Sequence, residues 1–243
     1  MARNIVEYTE QYLQLPFEPI QAAFRRRHVL REIARHRPAR LLEVGCGHAP
    51  LFTDLAGMQI TVVEPSSVFA ANAGQLAEGR CGVEVIEGYV EDLPARSGFD
   101  MIIVSCLLHE VDDPQALLAA VRRLCGPATV VHVNVPNSRS LHRLLAVAMG
   151  LMAAPGDRSD TQRRMQQRAT YDTAGLTAEL DRAGFVVDDR GSLFVKPFTH
   201  AQMQQLVDNG FMTPGMLDGL DRLVETLPDL GSEIWVNARL GHV

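Results

Sequence analysis

An α/β fold built on a mostly parallel sheet is what this chain predicts, from three observations. Short apolar runs alternate with amphipathic stretches from residue 18 to residue 136. The first run ends in a glycine turn, LLEVGCGHAP at 41–50. An acid, Glu64, closes the second run, about 20 residues further on. Alternation of this kind is the signature of strand–helix–strand units, which pack helices against a parallel sheet.

The elements follow in order. Over 18–37, Ile20, Phe24, Leu30 and Ile33 recur near the helical period, and Pro38 ends the run. Residues 40–44 read as a buried strand. A helix is expected over 50–56, with Pro50 at its first position, where a missing N–H costs nothing. Strands are expected at 59–64, 82–88, 99–105 and 128–136, and helices at 69–77 and 114–124, the latter stopped by Gly126-Pro127. Beyond Pro136 the regularity changes. A hydrophobic helix is expected over 138–153, a polar loop over 156–170 and a helix over 173–183. FVVDDRGSLFVK carries one or two strands, helices follow near 199–209 and 214–226, and 232–240 closes the chain as a strand. The 243 residues suit one sizeable domain. Its core covers about 38–137, 172–195 and 232–240; segments 1–37, 138–170 and 196–230 lie outside the alternation and are candidates for a substrate-binding cap.

Composition narrows the function classes. With 47% hydrophobic and 21% charged residues, the chain is an ordinary globular protein. A net charge of -6 argues against general nucleic-acid binding, which wants a basic surface. The positive charge is almost all arginine, and the lone lysine, Lys196, reads as a compositional habit. Cys46, Cys81, Cys106 and Cys125 show no CxxC spacing, so free thiols in a reducing compartment are expected. MARNIVEYTEQY lacks the basic start and apolar core of a signal peptide. The most apolar segment, 144–156, is shorter than the roughly 20 residues a bilayer span needs. A cytoplasmic protein with neither membrane nor nucleic-acid partner is therefore expected.

The glycine turn decides the cofactor. Open parallel sheets bind ligands at the carboxyl ends of their strands. Gly45 and Gly47 tolerate positive φ and let a ligand approach the backbone. Glu64 stands where an acid accepts hydrogen bonds from ribose hydroxyls. A dinucleotide turn wants G-x-G-x-x-G, yet the third position is Pro50, and Glu43 two residues before Gly45 would repel a pyrophosphate. A nicotinamide oxidoreductase is disfavoured on both counts. A cationic ligand without phosphate fits, and S-adenosylmethionine (SAM) is one.

Through LLEVGCG, VVEPS, IEGYVEDLP and FDMIIVSCLLHEVDDP, spanning 38–137, the chain resembles class I SAM-dependent methyltransferases. The likeness is to their small-molecule group, which includes ubiquinone, menaquinone, sugar and natural-product enzymes; VPNSRSLHRLL also resembles some of them. The resemblance implies a Rossmann-like sheet, mostly parallel with the last strand antiparallel, and helical cap insertions. It implies that Glu43, Gly45, Cys46 and Gly47 line the methionine and ribose end, and that Glu64, with Pro65 beside it, binds both ribose hydroxyls. Val90 and Glu91 would lie beside the adenine, and Ser105, Cys106 and Leu107 along the methionine moiety. Two positions depart from the family pattern: Ala49 replaces the third glycine of GxGxG, and Tyr89 stands where Asp is frequent.

Methyl transfer from a sulfonium needs alignment and desolvation. A hydroxyl acceptor gains from a general base, and His109, directly after the fourth strand, is the candidate; its alternative role is to bond Glu110. Glu110, Asp112 and Asp113 are acids of a kind that hold hard cations, but acids also favour a helix start, and no metal is expected. His142, Arg143 and Tyr171 are candidates to face the acceptor, and Tyr8 and Tyr12 to fold over the cofactor. Arg25, Arg26, Arg27, Arg31 and Arg35 give the first helix a basic side, either a solvated face or an attraction for an acidic acceptor. The expected activity (EC 2.1.1 class) moves a methyl group from SAM to a small molecule, at a hydroxyl of a sugar or natural-product intermediate, and leaves S-adenosylhomocysteine. N-methylation of a small amine and a catalytically silent SAM-binding protein are the alternatives. The oligomeric state stays open.

Overall fold

The computed structural model of the protein describes residues 15–95 and 98–241. Seven strands are formed there: β1 (Arg40–Val44), β2 (Gln59–Glu64), β3 (Val83–Glu87), β4 (Phe99–Ser105), β5 (Cys125–Pro136), β6 (Phe185–Leu193) and β7 (Glu233–Leu240). Their order is β3-β2-β1-β4-β5-β7-β6. β7 runs antiparallel to both β5 and β6, and the other neighbours pair in parallel. The helices are α1 (Glu18–His36), α2 (Ser67–Ala77), α3 (Pro114–Leu124), α4 (Leu141–Ala148), α5 (Asp160–Arg164), α6 (Thr173–Arg182), α7 (His200–Asp208) and α8 (Pro214–Arg222).

The central strands read as continuous apolar runs because both of their faces are buried. Leu42, Val44, Ile102 and Val104 join α3 and α6 residues such as Leu118 and Leu180 in one core. Leu41, Met101 and Ile103 point the other way, to Val29 and Ile33 of α1. A third cluster joins Phe17 and Phe24 to Phe194, Met203, Met212 and Leu217, and so binds the start of α1 to α7 and α8 at the carboxyl end of β6. Among the described residues no helix is long and apolar enough to cross a membrane.

Four expectations change. Residues 50–56 make one 3-10 turn (Leu51–Asp54), because the Leu51 N–H is taken by Glu43 and Gly57 turns left-handed at φ 76°. β5 starts at Cys125, so Gly126 and Pro127 lie in the strand; a register shift at Phe99/Met101 admits them, and the Thr129 hydroxyl ties Gly126 to Phe99. The helix expected over 138–153 shrinks to α4, since Ser138 N–H bonds the Tyr171 carbonyl and Gly150 ends the run at φ 73°. Within the polar 156–170 stretch, Ser159 and Gln162 form a reciprocal cap that starts α5.

Candidate functional site

Strand order reverses between β1 and β4, and the residues following these strands meet there. Gly45 turns left-handed at φ 75°, and its N–H bonds the Val63 carbonyl at 2.8 Å. A Cβ on Gly45 would sit 3.4 Å from a Leu107 methyl, so the β1 and β4 loops nearly touch. Gly47, at φ 53°, faces open space. The Glu64 carboxylate, at the end of β2, accepts the N–H groups of Cys46 (2.9 Å), Gly47 (3.1 Å) and Ser66 (2.9 Å). A carboxylate has about four lone-pair directions, so capacity remains for a ligand hydroxyl. From α1, Arg26 clamps the loop through the carbonyls of Ala49 (2.6 Å) and Pro50 (3.0 Å). This acid beside an open glycine turn fits an adenosyl ribose.

Glu43 acts differently from its expected part. Its carboxyl is 4% exposed and turned onto the Leu51 N–H at 2.9 and 3.2 Å. Burial pushes it up to about 8, against the Leu51 bond and Arg26. Near pH 7 it is mostly protonated, so repulsion of a pyrophosphate is not its role. It shapes the turn.

Across the crevice, Cys106 follows β4 in a left-handed conformation at φ 50°, its N–H on the Asn134 carbonyl. Its thiol lies 3.6 Å from Glu233 Oε2, and burial, opposed by Arg25, raises it well above the ordinary range, so it stays a thiol. Glu233, the first residue of β7, gathers a buried network. Arg25 binds it through Nε (2.9 Å) and Nη2 (2.7 Å), Gln21 at 2.9 Å and Asn134 at 3.1 Å. Burial raises this carboxyl, but Arg25 and the other donors outweigh that and hold it below the usual range. Arg25 also holds Glu18 at 3.1 Å.

Beside this network stands a group that the linear sequence did not mark. Lys196, just beyond β6, is 2% exposed, with Nζ 3.2 Å from His200 Nε2. Burial lowers its ammonium to about 8, with Glu18 and Glu233 opposing. His200 falls to about 3 through burial and Lys196; His142 on α4 falls well below its ordinary value through burial, Lys196 and His200. Lys196 and His200 thus meet just beyond the carboxyl end of β6. Being the chain's single lysine was the available signal.

The remaining expected positions separate. Pro65 and Ser105 are half-buried at their strand ends. Val90 packs its side chain into the core and leaves only backbone for an adenine; Glu91 is half-buried, its carbonyl bonded by Arg123, and Tyr89 is exposed. Tyr171 is a correction: its ring joins the core, burial pushes its hydroxyl up to about 12, and its backbone pairs with Asn137 and Ser138. Arg143 is spent on the 155–162 segment, bonding the Pro155 carbonyl and Gln162. Tyr8 and Tyr12 lie outside the described residues.

His109 is 3% exposed, with Nε2 3.6 Å from Glu110 Oε1, and its carbonyl accepts the N–H groups of Arg168 and Ala169. Asp112 pairs with Arg168 at 2.7 Å, and Asp113 caps α3 through Ala116 N–H at 3.0 Å. No group of three metal-binding side chains occurs among the described residues. The basic side of α1 is no free attractor: Arg25, Arg26, Arg27 and Arg35 are paired to Glu233, Asp54, Asp221 and Asp189, and Arg31 remains on the exposed face.

Residues 42–132 match the family model described as a methyltransferase domain. No protein of curated function matches the chain in sequence. Among solved structures, the 1,6-didemethyltoxoflavin-N1-methyltransferase of Burkholderia thailandensis, crystallised with S-adenosylhomocysteine, is 15% identical at a TM-score of 0.63, covering 98% of this chain and 88% of that one. The cyclase SpnF is 22% identical at 0.57, covering 84% and 75%. The mitomycin 7-O-methyltransferase MmcR is 14% identical at a TM-score of 0.55, covering 98% of this chain but 54% of its own.

Proposed function

Since the chain carries a class I SAM-dependent methyltransferase domain, with SAM as cofactor, we propose that it methylates a hydroxyl oxygen of a small sugar or natural-product intermediate. The observation that carries this reading is the His109–Glu110 pair. An imidazole and a carboxylate lie 3.6 Å apart, both nearly buried, just after the β4 residues assigned to the methionine moiety. The separation is just beyond hydrogen-bond reach, and a small tightening on ligand binding would let the carboxylate orient the imidazole as a base. Bound SAM supplies a methyl group on a positive sulfonium, ready for in-line displacement.

The chain's residues do the rest. Gly45 and Gly47 give the cofactor backbone access, and Glu64 accepts its ribose hydroxyls. Cys106 and Leu107 flank the methionine end, and the N–H groups of Arg168 and Ala169 hold the backbone that carries His109 through its carbonyl. His109 would take the acceptor's proton as its oxygen bonds the methyl carbon and the methyl carbon–sulfur bond breaks, the electron pair staying on sulfur in S-adenosylhomocysteine. Free cysteines among the described residues support a cytoplasmic setting, and the acidic net charge supports a partner other than nucleic acid.

A second reading, methylation of an amine, is favoured by the likeness to the toxoflavin N1-methyltransferase. His109→Ala separates the two. With methyl-labelled SAM and a panel of hydroxyl and amine acceptors, an oxygen acceptor predicts a loss of about 100-fold or more in rate at unchanged S-adenosylhomocysteine affinity. An unchanged rate would favour the amine. SpnF shares this fold under the name of a cyclase, so product identification by mass belongs in the same assay.

A further inference from the structure

Lys196 has unmet bonding capacity in a place where an acceptor would lie. An ammonium offers three N–H donors. Among the described residues the Lys196 ammonium meets the His200 ring at 3.2 Å and no carboxylate in ion-pair range. The nearest acids are already committed, Glu233 and Glu18 both to Arg25. His142, close enough to feel the Lys196 charge, has a buried Nδ1 with no partner. A buried ammonium with one ring partner, and a buried imidazole nitrogen with none, leave polar atoms unsatisfied at real cost unless a ligand completes them.

Their location is informative. Lys196 lies three residues past Leu193, which pairs with Glu233 across β6 and β7, and Glu233 in turn meets the Cys106 thiol at the end of β4. The ribose acid Glu64 lies on the other side of the crevice, at the end of β2. We infer that Lys196, assisted by His142, binds a carboxylate carried by the methyl acceptor.

Arg25 and Lys196 formally balance Glu18 and Glu233, but both acids are bonded to Arg25, so among the described residues Lys196 is the cation of this group without a bonded acid, and His200 and His142 are neutral. A carboxylate beside the ammonium forms a charge-assisted pair. A phosphate would bring about one more negative charge into the same buried place than a carboxylate does. This assignment rests on the acceptor binding at the carboxyl edge, as proposed above.

The single lysine makes the test direct. Protein grown on carbon-13 lysine gives one Cε resonance, that of Lys196. It is followed through a pH titration of the S-adenosylhomocysteine-saturated protein alone, with benzoate, and with benzyl alcohol. The expected result is a midpoint that benzoate raises by about one unit, a tenfold preference for the charged amine, and that benzyl alcohol leaves in place. Lys196→Met should keep its S-adenosylhomocysteine affinity yet bind benzoate about tenfold more weakly. A midpoint unmoved by benzoate, or benzoate binding unaffected in Lys196→Met, overturns the inference. Failure of the wild type to bind S-adenosylhomocysteine would strike the cofactor reading itself, and the inference with it.

Discussion

Glu64→Ala should weaken S-adenosylhomocysteine binding by about 100-fold or more, near 3 kcal/mol, measured by calorimetric titration. The substitution has two effects of the same sign. It removes the charged acceptor proposed for the ribose hydroxyls, where each charge-assisted bond contributes about 1.5–3 kcal/mol. It also frees the N–H groups of Cys46, Gly47 and Ser66, which this carboxylate alone gathers into one turn. Glu64→Gln keeps a carbonyl oxygen but no charge, and should fall between the two. Equal affinity in Glu64→Ala and wild type would mean that the ligand does not reach this turn.

The largest stability effect is expected at the other side of the crevice. Glu233→Ala should lower the free energy of unfolding by about 3–5 kcal/mol, read from urea denaturation with unchanged slope. Glu233 is 3% exposed, and Arg25, Gln21, Asn134 and the Cys106 thiol all direct hydrogens at it. Its removal leaves a buried guanidinium with Glu18 as the remaining acid partner. The double variant Arg25→Met/Glu233→Leu should recover part of the loss, because the buried guanidinium goes together with the carboxylate that it faced. By contrast, Asp160→Ala, which breaks an exposed pair to Arg163, should leave the urea midpoint nearly unmoved. If Glu233→Ala behaved like Asp160→Ala, the network would be ornamental to the fold.

What could be read from the linear sequence follows from how local each signal is. The β1 and β4 strands were legible because burial on both faces turns them into unbroken apolar runs, and Asp113, among the acids that favour a helix start, caps α3. Gly45, Gly47 and Glu64 were legible because chain spacing alone brings a turn beside the end of the next strand. Glu43 was misjudged in its charge state, since its protonation depends on burial beneath the loop that it holds. Tyr171 looked like a pocket residue after a polar stretch, whereas pairing with Asn137 draws it into the core. The arginines of α1 looked like a free basic face until Asp54, Asp189, Asp221 and Glu233 came from distant segments to meet them. Lys196 could not be assigned from spacing, because its neighbours are separated from it by chain and joined only by the fold.

The central claim is that the turn at 45–47 with Glu64 holds an adenosyl sulfonium cofactor. It is tested most directly by calorimetric titration of the wild-type protein with S-adenosylhomocysteine and, separately, with NADH. The account predicts one site per chain for S-adenosylhomocysteine with Kd on the order of micromolar, and no heat of binding for NADH. Binding of NADH, or silence with S-adenosylhomocysteine, would contradict it.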